Sequence, residues 1–209
     1  NDVRYRVFTA VKYTVYLLLC YNVYLFLDEE LLALEHTFVD GFEPGQLIQV
    51  FSATIDTAAW VILLILFELE TAVIPDEKLK GGLRWSLSAL SAVCYFFIVW
   101  SFYGYGVKFE MISAIQPFQV SDVCSLVGGE WNFLATLNEY PPLDLANCAA
   151  MQGQPVFQVI GTDILTTAEN HALAWRLAAV DIINSGTWLI VVVSLGIEVL
   201  LQLRQKLTG

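Results

Sequence analysis

Polar side chains occur inside stretches of this sequence that are otherwise strongly apolar. Asp56 lies about ten residues into one such stretch, and Asp181 and Asn184 lie toward the start of another. A charge inside a membrane is costly, and it marks an ion pathway, a proton relay or a contact with a neighbouring helix. Helical spacing places Glu198 close to the face that carries Asn184. Three roles are indicated for these residues: hydrogen bonding between helices, ion conduction along a polar face, or contact with another subunit.

A second set of charged residues lies at the opposite ends of these apolar stretches. Lys12 falls near the start of the first stretch, whereas Glu68, Glu70 and Glu198 fall near the ends of two others. Threading the stretches through a membrane places all four at similar depth, where an unpaired charge reaches water only by extending its side chain. We therefore predict that Lys12 forms an ion pair with at least one of the three glutamates.

The two histidines, His36 and His171, each have a glutamate close by in sequence. If the segments that carry them meet, they form a mixed histidine and carboxylate metal site; otherwise both are surface residues. The chain contains no nucleophile elbow, phosphate-binding loop or zinc-protease motif. The sequence therefore predicts a protein that is not an enzyme and needs no metal or other cofactor, with lipid as its expected ligand.

Four apolar stretches have the length of membrane-spanning helices. They cover about residues 7–27, 47–69, 85–107 and 177–203, and about 20 apolar residues suffice to cross a bilayer core. Of the 10 Lys and Arg residues, only Lys108 and Arg176 lie on one side of these spans, and the others flank them on the opposite side. Because basic flanks stay in the cytoplasm, both termini are predicted on the cytoplasmic side of a plasma or inner membrane.

The composition agrees with a membrane protein. Of the 209 residues, 57% are hydrophobic and 15% are charged, whereas roughly 25% of a soluble domain is charged. The net charge is -11, and the acids, Glu29 and Glu30 among them, concentrate in the external connections. An acidic outer face serves solubility or attracts cations and basic partners. Nucleic acid is excluded as a partner, because binding it needs clustered cations.

The longer external segment, residues 108–170, is called the cap here. Its two cysteines, Cys124 and Cys148, lie outside the cytoplasm in the predicted topology, where a disulfide is expected. Zinc is the alternative, but neither a CxxC motif nor a histidine spacing supports it. We expect the cap to consist of loops with short helices. A capping box from Thr166 to Glu169 should begin the fourth long helix, which, like the first, should project beyond the membrane.

Together these features predict an all-α integral membrane protein, a four-helix bundle with a disulfide-pinned external cap, forming one domain over residues 1–209. Its expected role is that of a subunit or scaffold of a membrane assembly whose cap recognises a partner. Besides lipids, other membrane subunits or further copies of the chain are the expected partners. The alternative is an oligomeric ion channel or transporter with the intramembrane carboxylates on its pathway.

Overall fold

The structure is a computed structural model of the chain, and it is mostly helical. It describes the backbone of residues 2–37, 50–75, 77–78 and 80–208. Side chains are described for residues 3–31, 50–75, 77–78 and 80–194. The side chain of His36 and the side chain of Glu198 lie outside the described residues.

Two long helices pack against each other at the N-terminal end of the chain. α1 spans Asp2–Thr37, and α2 spans Ser52–Glu68 and continues as a π-helical stretch, Leu69–Val73. Neither helix contains Gly or Pro, so nothing interrupts the backbone hydrogen-bond ladder. Pro75 follows the π-helical stretch, where it prevents the helix from continuing.

Three further helices follow: α3 (Gly82–Ser113), the short α4 (Leu145–Met151) and α5 (Ala168–Thr208). Four helices, namely α1, α2 with its π-helical stretch, α3 and α5, are long and apolar enough to cross a membrane, which confirms four helices of the predicted length and composition. Many of their apolar side chains are exposed, as helices that face lipid tails require. The packing of all four into one bundle stays a prediction.

The cap contains a small β-sheet, so the expectation of an all-α fold needs correction here. Its strands are β1 (Ile115–Pro117), β2 (Asn132–Phe133), β3 (Val156–Val159) and β4 (Ile164–Thr167), in the order β1-β3-β4-β2. β3 pairs antiparallel with β1 and β4, and β2 pairs parallel with β4. Strands this short carry too few residues to show the alternation by which a strand is recognised in a sequence.

The sheet lies against a hydrophobic core that belongs to the cap. Every residue of β4 is buried, and Leu165 at its centre is fully inaccessible. Leu165 and Val156 of the sheet form one cluster with residues contributed by the connecting segments: Val123, Leu143, Cys148 and Met151. Burying apolar surface in this way stabilises the cap by about 25 cal/mol for each Å² removed from water.

α5 begins one residue later than the predicted capping box. Thr166 is the third residue of β4 and fully buried, whereas the Thr167 hydroxyl accepts the backbone N–H of Asn170 at 3.3 Å. Thr167 is therefore the N-cap, and Asn170 stands at the third helical position in place of Glu169. The Asn170 side chain donates to the carbonyl oxygens of Leu134 and Ala135 at 3.2 and 3.3 Å, which ties the start of α5 to the segment after β2.

The chain divides into two compact units. The first comprises Asn1–Gly104 with Asn138–Pro142, and the second comprises Tyr105–Leu137 with Leu143–Gly209. The α1–α2 pair lies in the first unit, and the sheet and its core lie in the second. In the first unit the Asn138 amide donates to Glu29 at 3.3 Å, so this short piece of the cap contacts α1.

Candidate functional site

The ion pair predicted for Lys12 is present, and its partner is Glu68. The Tyr16 hydroxyl donates to the other oxygen of the same carboxylate at 3.3 Å, and the Lys12 nitrogen lies 5.1 Å from the centre of the Tyr13 ring. Lys12, Tyr13 and Tyr16 belong to α1 and Glu68 ends α2, so the cluster joins the two helices. An intramembrane charge with an opposite charge beside it is suited to holding helices together.

The other intramembrane polar residues have different surroundings. Asp56 is buried on α2, and Glu70 is half-buried in the π-helical stretch, where it takes no part in the Lys12 ion pair. On α5, Asp181 is half-buried and Asn184 is exposed. These four residues therefore differ in burial, and whether they form a shared polar surface along each helix stays a prediction.

Glu30 has a structural role that its place in an acidic run concealed. The residue is only 2% exposed, and the two oxygens of its carboxylate accept the backbone N–H groups of Ala53 and Thr54 at 2.9 and 3.1 Å. These N–H groups belong to the first turn of α2, where the helix itself offers no acceptor and the helix dipole favours a negative charge. Its only signal in the sequence is its position, directly after an apolar span.

His171 joins the start of α5 to the end of α3. Its Nε2 donates to the carbonyl oxygen of Ile112 at 2.9 Å, and Trp175 Nε1 donates to the Ser113 hydroxyl at 3.1 Å. The terminal carbonyl groups of a helix need such partners. Among the described residues, no three His, Cys, Asp or Glu side chains lie together in a way that could hold a metal ion. His36, the other metal candidate, lies outside the described side chains.

The predicted disulfide between Cys124 and Cys148 is confirmed, with the two Cα atoms 5.1 Å apart. Cys124 lies in a short 3-10 helix, Val123–Leu126, and Cys148 lies in α4. Cys148 is fully buried in the core of the cap. The bridge thus fixes α4 against the 3-10 helix and brings the residues that flank the two cysteines close together.

An open cleft of 660 Å³ lies beside the disulfide, between residues 118–123 and residues 151–156. We call it the cap cleft. Three buried apolar residues, Val123, Met151 and Val156, contribute to its lining. The exposed part of the lining is mostly polar: Gln119, Ser121, Asp122, Gln152 and Gln154. The volume lies within the usual range of ligand-binding clefts, but the mostly polar lining differs from the apolar lining of most small-molecule sites.

Two polar side chains connect the walls of the cap cleft. Oδ1 of Asp122 accepts the backbone N–H of Cys124 at 2.9 Å and the side-chain amide of Gln152 at 3.1 Å. The same Gln152 nitrogen lies 3.6 Å from the sulfur of Cys124. Both hydrogen bonds go to Oδ1 of Asp122, so the lining offers the second oxygen of this carboxylate in addition to neutral amides.

The sequence analysis did not single out the residues of the cap cleft. The available signal was indirect: Asp122 precedes Cys124 by two residues, and Gln152 follows Cys148 by four. A disulfide between the cysteines necessarily brings these neighbours together. The cleft itself also depends on β1 and β3, since the Phe118 N–H donates to the Val156 carbonyl oxygen at 2.9 Å at the end of that strand pair.

Neither a known protein family, nor a characterised protein, nor a solved structure matches this chain. The function must therefore be argued from the geometry of the cap and of the membrane-spanning helices.

Proposed function

We propose that this chain is a non-catalytic subunit or scaffold of a membrane assembly, and that its cap recognises a polypeptide partner through the cap cleft. The observation that carries this proposal is the cleft itself, an open groove of 660 Å³ in a disulfide-linked part of the cap. Side-chain amides such as those of Gln119 and Gln154 both donate and accept hydrogen bonds, and a polypeptide backbone presents both kinds of group along its length.

The connection of the walls supports a recognition role. The disulfide and the hydrogen bond from Gln152 to Asp122 hold the cleft in one shape before a partner arrives. A preformed groove loses little conformational entropy on binding, so more of the contact energy appears as affinity. Phe118, beside the groove, also packs on Trp131 with ring centres 5.0 Å apart.

The surroundings of the intramembrane charges favour a subunit over the alternative of an ion channel. Lys12 and Glu68 neutralise each other, and Tyr16 adds a hydrogen bond to the carboxylate. A conduction pathway needs charged groups that are available to ions. In this proposal the charges join helices, the protein lies in a cytoplasmic or plasma membrane, its termini are cytoplasmic, and the cap faces outward.

Site-specific photocrosslinking tests the proposal. A photoreactive amino acid at Ser121 in the full chain, expressed in its native membrane, should give a crosslink to one discrete protein, because Ser121 lines the cleft and is exposed. Leu145 provides the matched control, since it is 74% exposed and does not line the cleft. Equal crosslinking from both positions, or none from Ser121, contradicts recognition through the cleft.

A cleft-filling variant supplies the second measurement. The variant chosen is Ser121→Trp. The alternative Gly153→Trp would strain the backbone, because Gly153 has a φ of 75°. Ser121→Trp should remove the co-purifying partner while leaving the disulfide intact, because an indole occupies the groove. If the partner is retained, it binds elsewhere. Cation flux through vesicles that contain the purified chain alone, abolished by Asp56→Asn without loss of protein, would instead establish the channel.

A further inference from the structure

A line of exposed residues runs along α5, and its members are alternately three and four positions apart in the chain. It consists of Leu177, Val180, Asn184, Thr187, Val191 and Ser194, all of them exposed. We call this line the α5 seam. It lies within the part of α5 that is apolar enough to cross a membrane, Ala168–Ser194. Alternation of three and four is the repeat with which two helices pack side by side in a left-handed pair, the commonest geometry in membranes.

The polar residues of the seam differ in one respect. Thr187 and Ser194 donate to carbonyl oxygens of their own helix, at 2.7 Å in each case. Asn184, by contrast, has no hydrogen-bond partner for its amide among the residues that the structure describes. A helix satisfies its own backbone groups in lipid, but an amide without a partner in hydrocarbon is costly.

The depth of Asn184 sets the size of this cost. Asn184 lies eight residues beyond Arg176, which is about 12 Å along a helix axis. That distance places its amide well inside a hydrocarbon core of about 30 Å. Lipid tails can cover Leu177, Val180 and Val191, but they offer no hydrogen bond to Asn184.

We propose that the α5 seam is the contact face of a parallel two-fold dimer of this chain, in which Asn184 hydrogen-bonds to Asn184 of the second copy. A carboxamide carries both donors and an acceptor, so two identical amides satisfy each other across a two-fold axis. Two copies share one membrane topology, and the same residue therefore meets itself at the same depth. A single Asn in a heptad seam fixes register and oligomeric state in this way.

The shape of the seam fits close contact between two helices. The small residues Thr187 and Ser194 lie on it, and small side chains let helix axes approach in a membrane. The buried residues of α5, Ala174, Ala178 and Ser185, lie on a different face. Dimerisation through the seam therefore leaves the contacts of these three residues unchanged. It also leaves the cap cleft free, so this inference does not depend on the proposed recognition of a partner by the cap.

Disulfide crosslinking of the full chain tests the geometry. In a background with Cys20→Ser and Cys94→Ser, with the cap disulfide retained, a single cysteine is placed at Val191 or at Ile190. These neighbouring residues lie at nearly the same depth, but only Val191 lies on the seam. Exposure alone would favour Ile190, which is 68% exposed, over Val191, which is 40% exposed. Copper-phenanthroline oxidation in phosphatidylcholine vesicles should crosslink Val191→Cys at least several-fold faster than Ile190→Cys. Equal rates, or faster crosslinking at Ile190, overturn the proposed face.

The amide is tested by energy transfer between donor- and acceptor-labelled copies over a range of protein to lipid ratios. Asn184→Val should weaken the dimer about tenfold, the effect of one or two interhelical hydrogen bonds, whereas Asn184→Gln should retain most of the affinity. An unchanged affinity in Asn184→Val removes the amide pair from the interface. A purified chain that stays monomeric at every ratio shows that the occupant of the seam is not a second copy.

Discussion

At the scale of single residues, the charges of α1 and α2 show what an apolar environment demands. Glu30 accepts two backbone N–H groups of α2, and Glu68 accepts from Lys12 and Tyr16. Because each carboxylate has lost much of its water, these contacts replace hydration that the folded chain does not supply. Removing one partner should therefore do more harm than removing both.

The Lys12–Glu68 pair allows a direct test of this reasoning. Lys12→Met leaves the carboxylate of Glu68 in apolar surroundings with only Tyr16 as a partner, so its melting temperature in detergent should fall below that of wild type. The double variant Lys12→Met/Glu68→Gln should recover part of the loss, because no unpaired charge remains. Effects that simply add would show that the two charges do not interact. Lys78→Met, at an exposed position, serves as the control for loss of a positive charge.

Tyr140 predicts a dependence of stability on pH. Burial disfavours the phenolate and raises the pKa of Tyr140 above its ordinary value. The unfolded chain therefore ionises first, at about pH 10. The contribution of Tyr140 to stability is complete below that pH and is lost as the pH rises toward the pKa of the folded state. When the pH is raised from about 9 to about 11, the free energy of unfolding of wild type should fall by roughly 1 kcal/mol more than that of Tyr140→Phe.

Thermal unfolding monitored by near-ultraviolet circular dichroism at each pH provides the measurement. Identical pH profiles for wild type and Tyr140→Phe would mean that the Tyr140 hydroxyl ionises equally well in the folded chain.

At the scale of elements, the cap depends on connections between short pieces. None of its strands exceeds four residues, and α4 has seven. Elements of this length are unstable in isolation, since a short helix or hairpin does not offset the entropy of ordering it. The shared core and the disulfide therefore have to hold the cap together.

Removal of the disulfide should accordingly loosen the sheet. The bridge spans 24 residues, and closing a loop of this size stabilises a fold by about 3 kcal/mol in the chain-entropy account. The double variant Cys124→Ser/Cys148→Ser should speed hydrogen exchange in β3 and β4 by a factor of about 100. This factor corresponds to a loss of slightly less than the free energy that the disulfide contributes. Cys20→Ser, at an exposed cysteine of α1, should change nothing. Unaltered protection of β3 and β4 in the double variant would show that the core alone maintains the sheet.

At the scale of the whole molecule, the sorting of basic residues predicts the orientation in the membrane. A cysteine placed at Leu145, which is 74% exposed, should react with a membrane-impermeant maleimide in intact cells, because the predicted topology places the cap outside. A cysteine at Lys78, exposed in the connection between α2 and α3, should react only after the membrane is permeabilised. Both are made in a chain with Cys20→Ser and Cys94→Ser. The reverse pattern of labelling would invert the topology and place the cap in the cytoplasm.

The sequence by itself determined the features that follow from local composition. Helix-length apolar runs identified four helices able to cross a membrane, and uninterrupted helical sequence indicated that α1 and α5 extend beyond their apolar runs, as they do. The disulfide followed from two cysteines in one external segment. Each of these depends on residues that are near one another in the chain, so a pattern in the sequence is sufficient to predict them.

The tertiary structure decided which distant residues meet. Glu68 rather than Glu70 pairs with Lys12, and Glu30 accepts N–H groups in the first turn of α2. β2 pairs parallel with β4, and the paired residues are 32 positions apart in the chain. The cap cleft likewise exists only because the disulfide and the β1–β3 pair bring residues 118–123 beside residues 151–156. Such contacts depend on how elements pack, and packing is a cooperative property of the folded chain that no local pattern encodes.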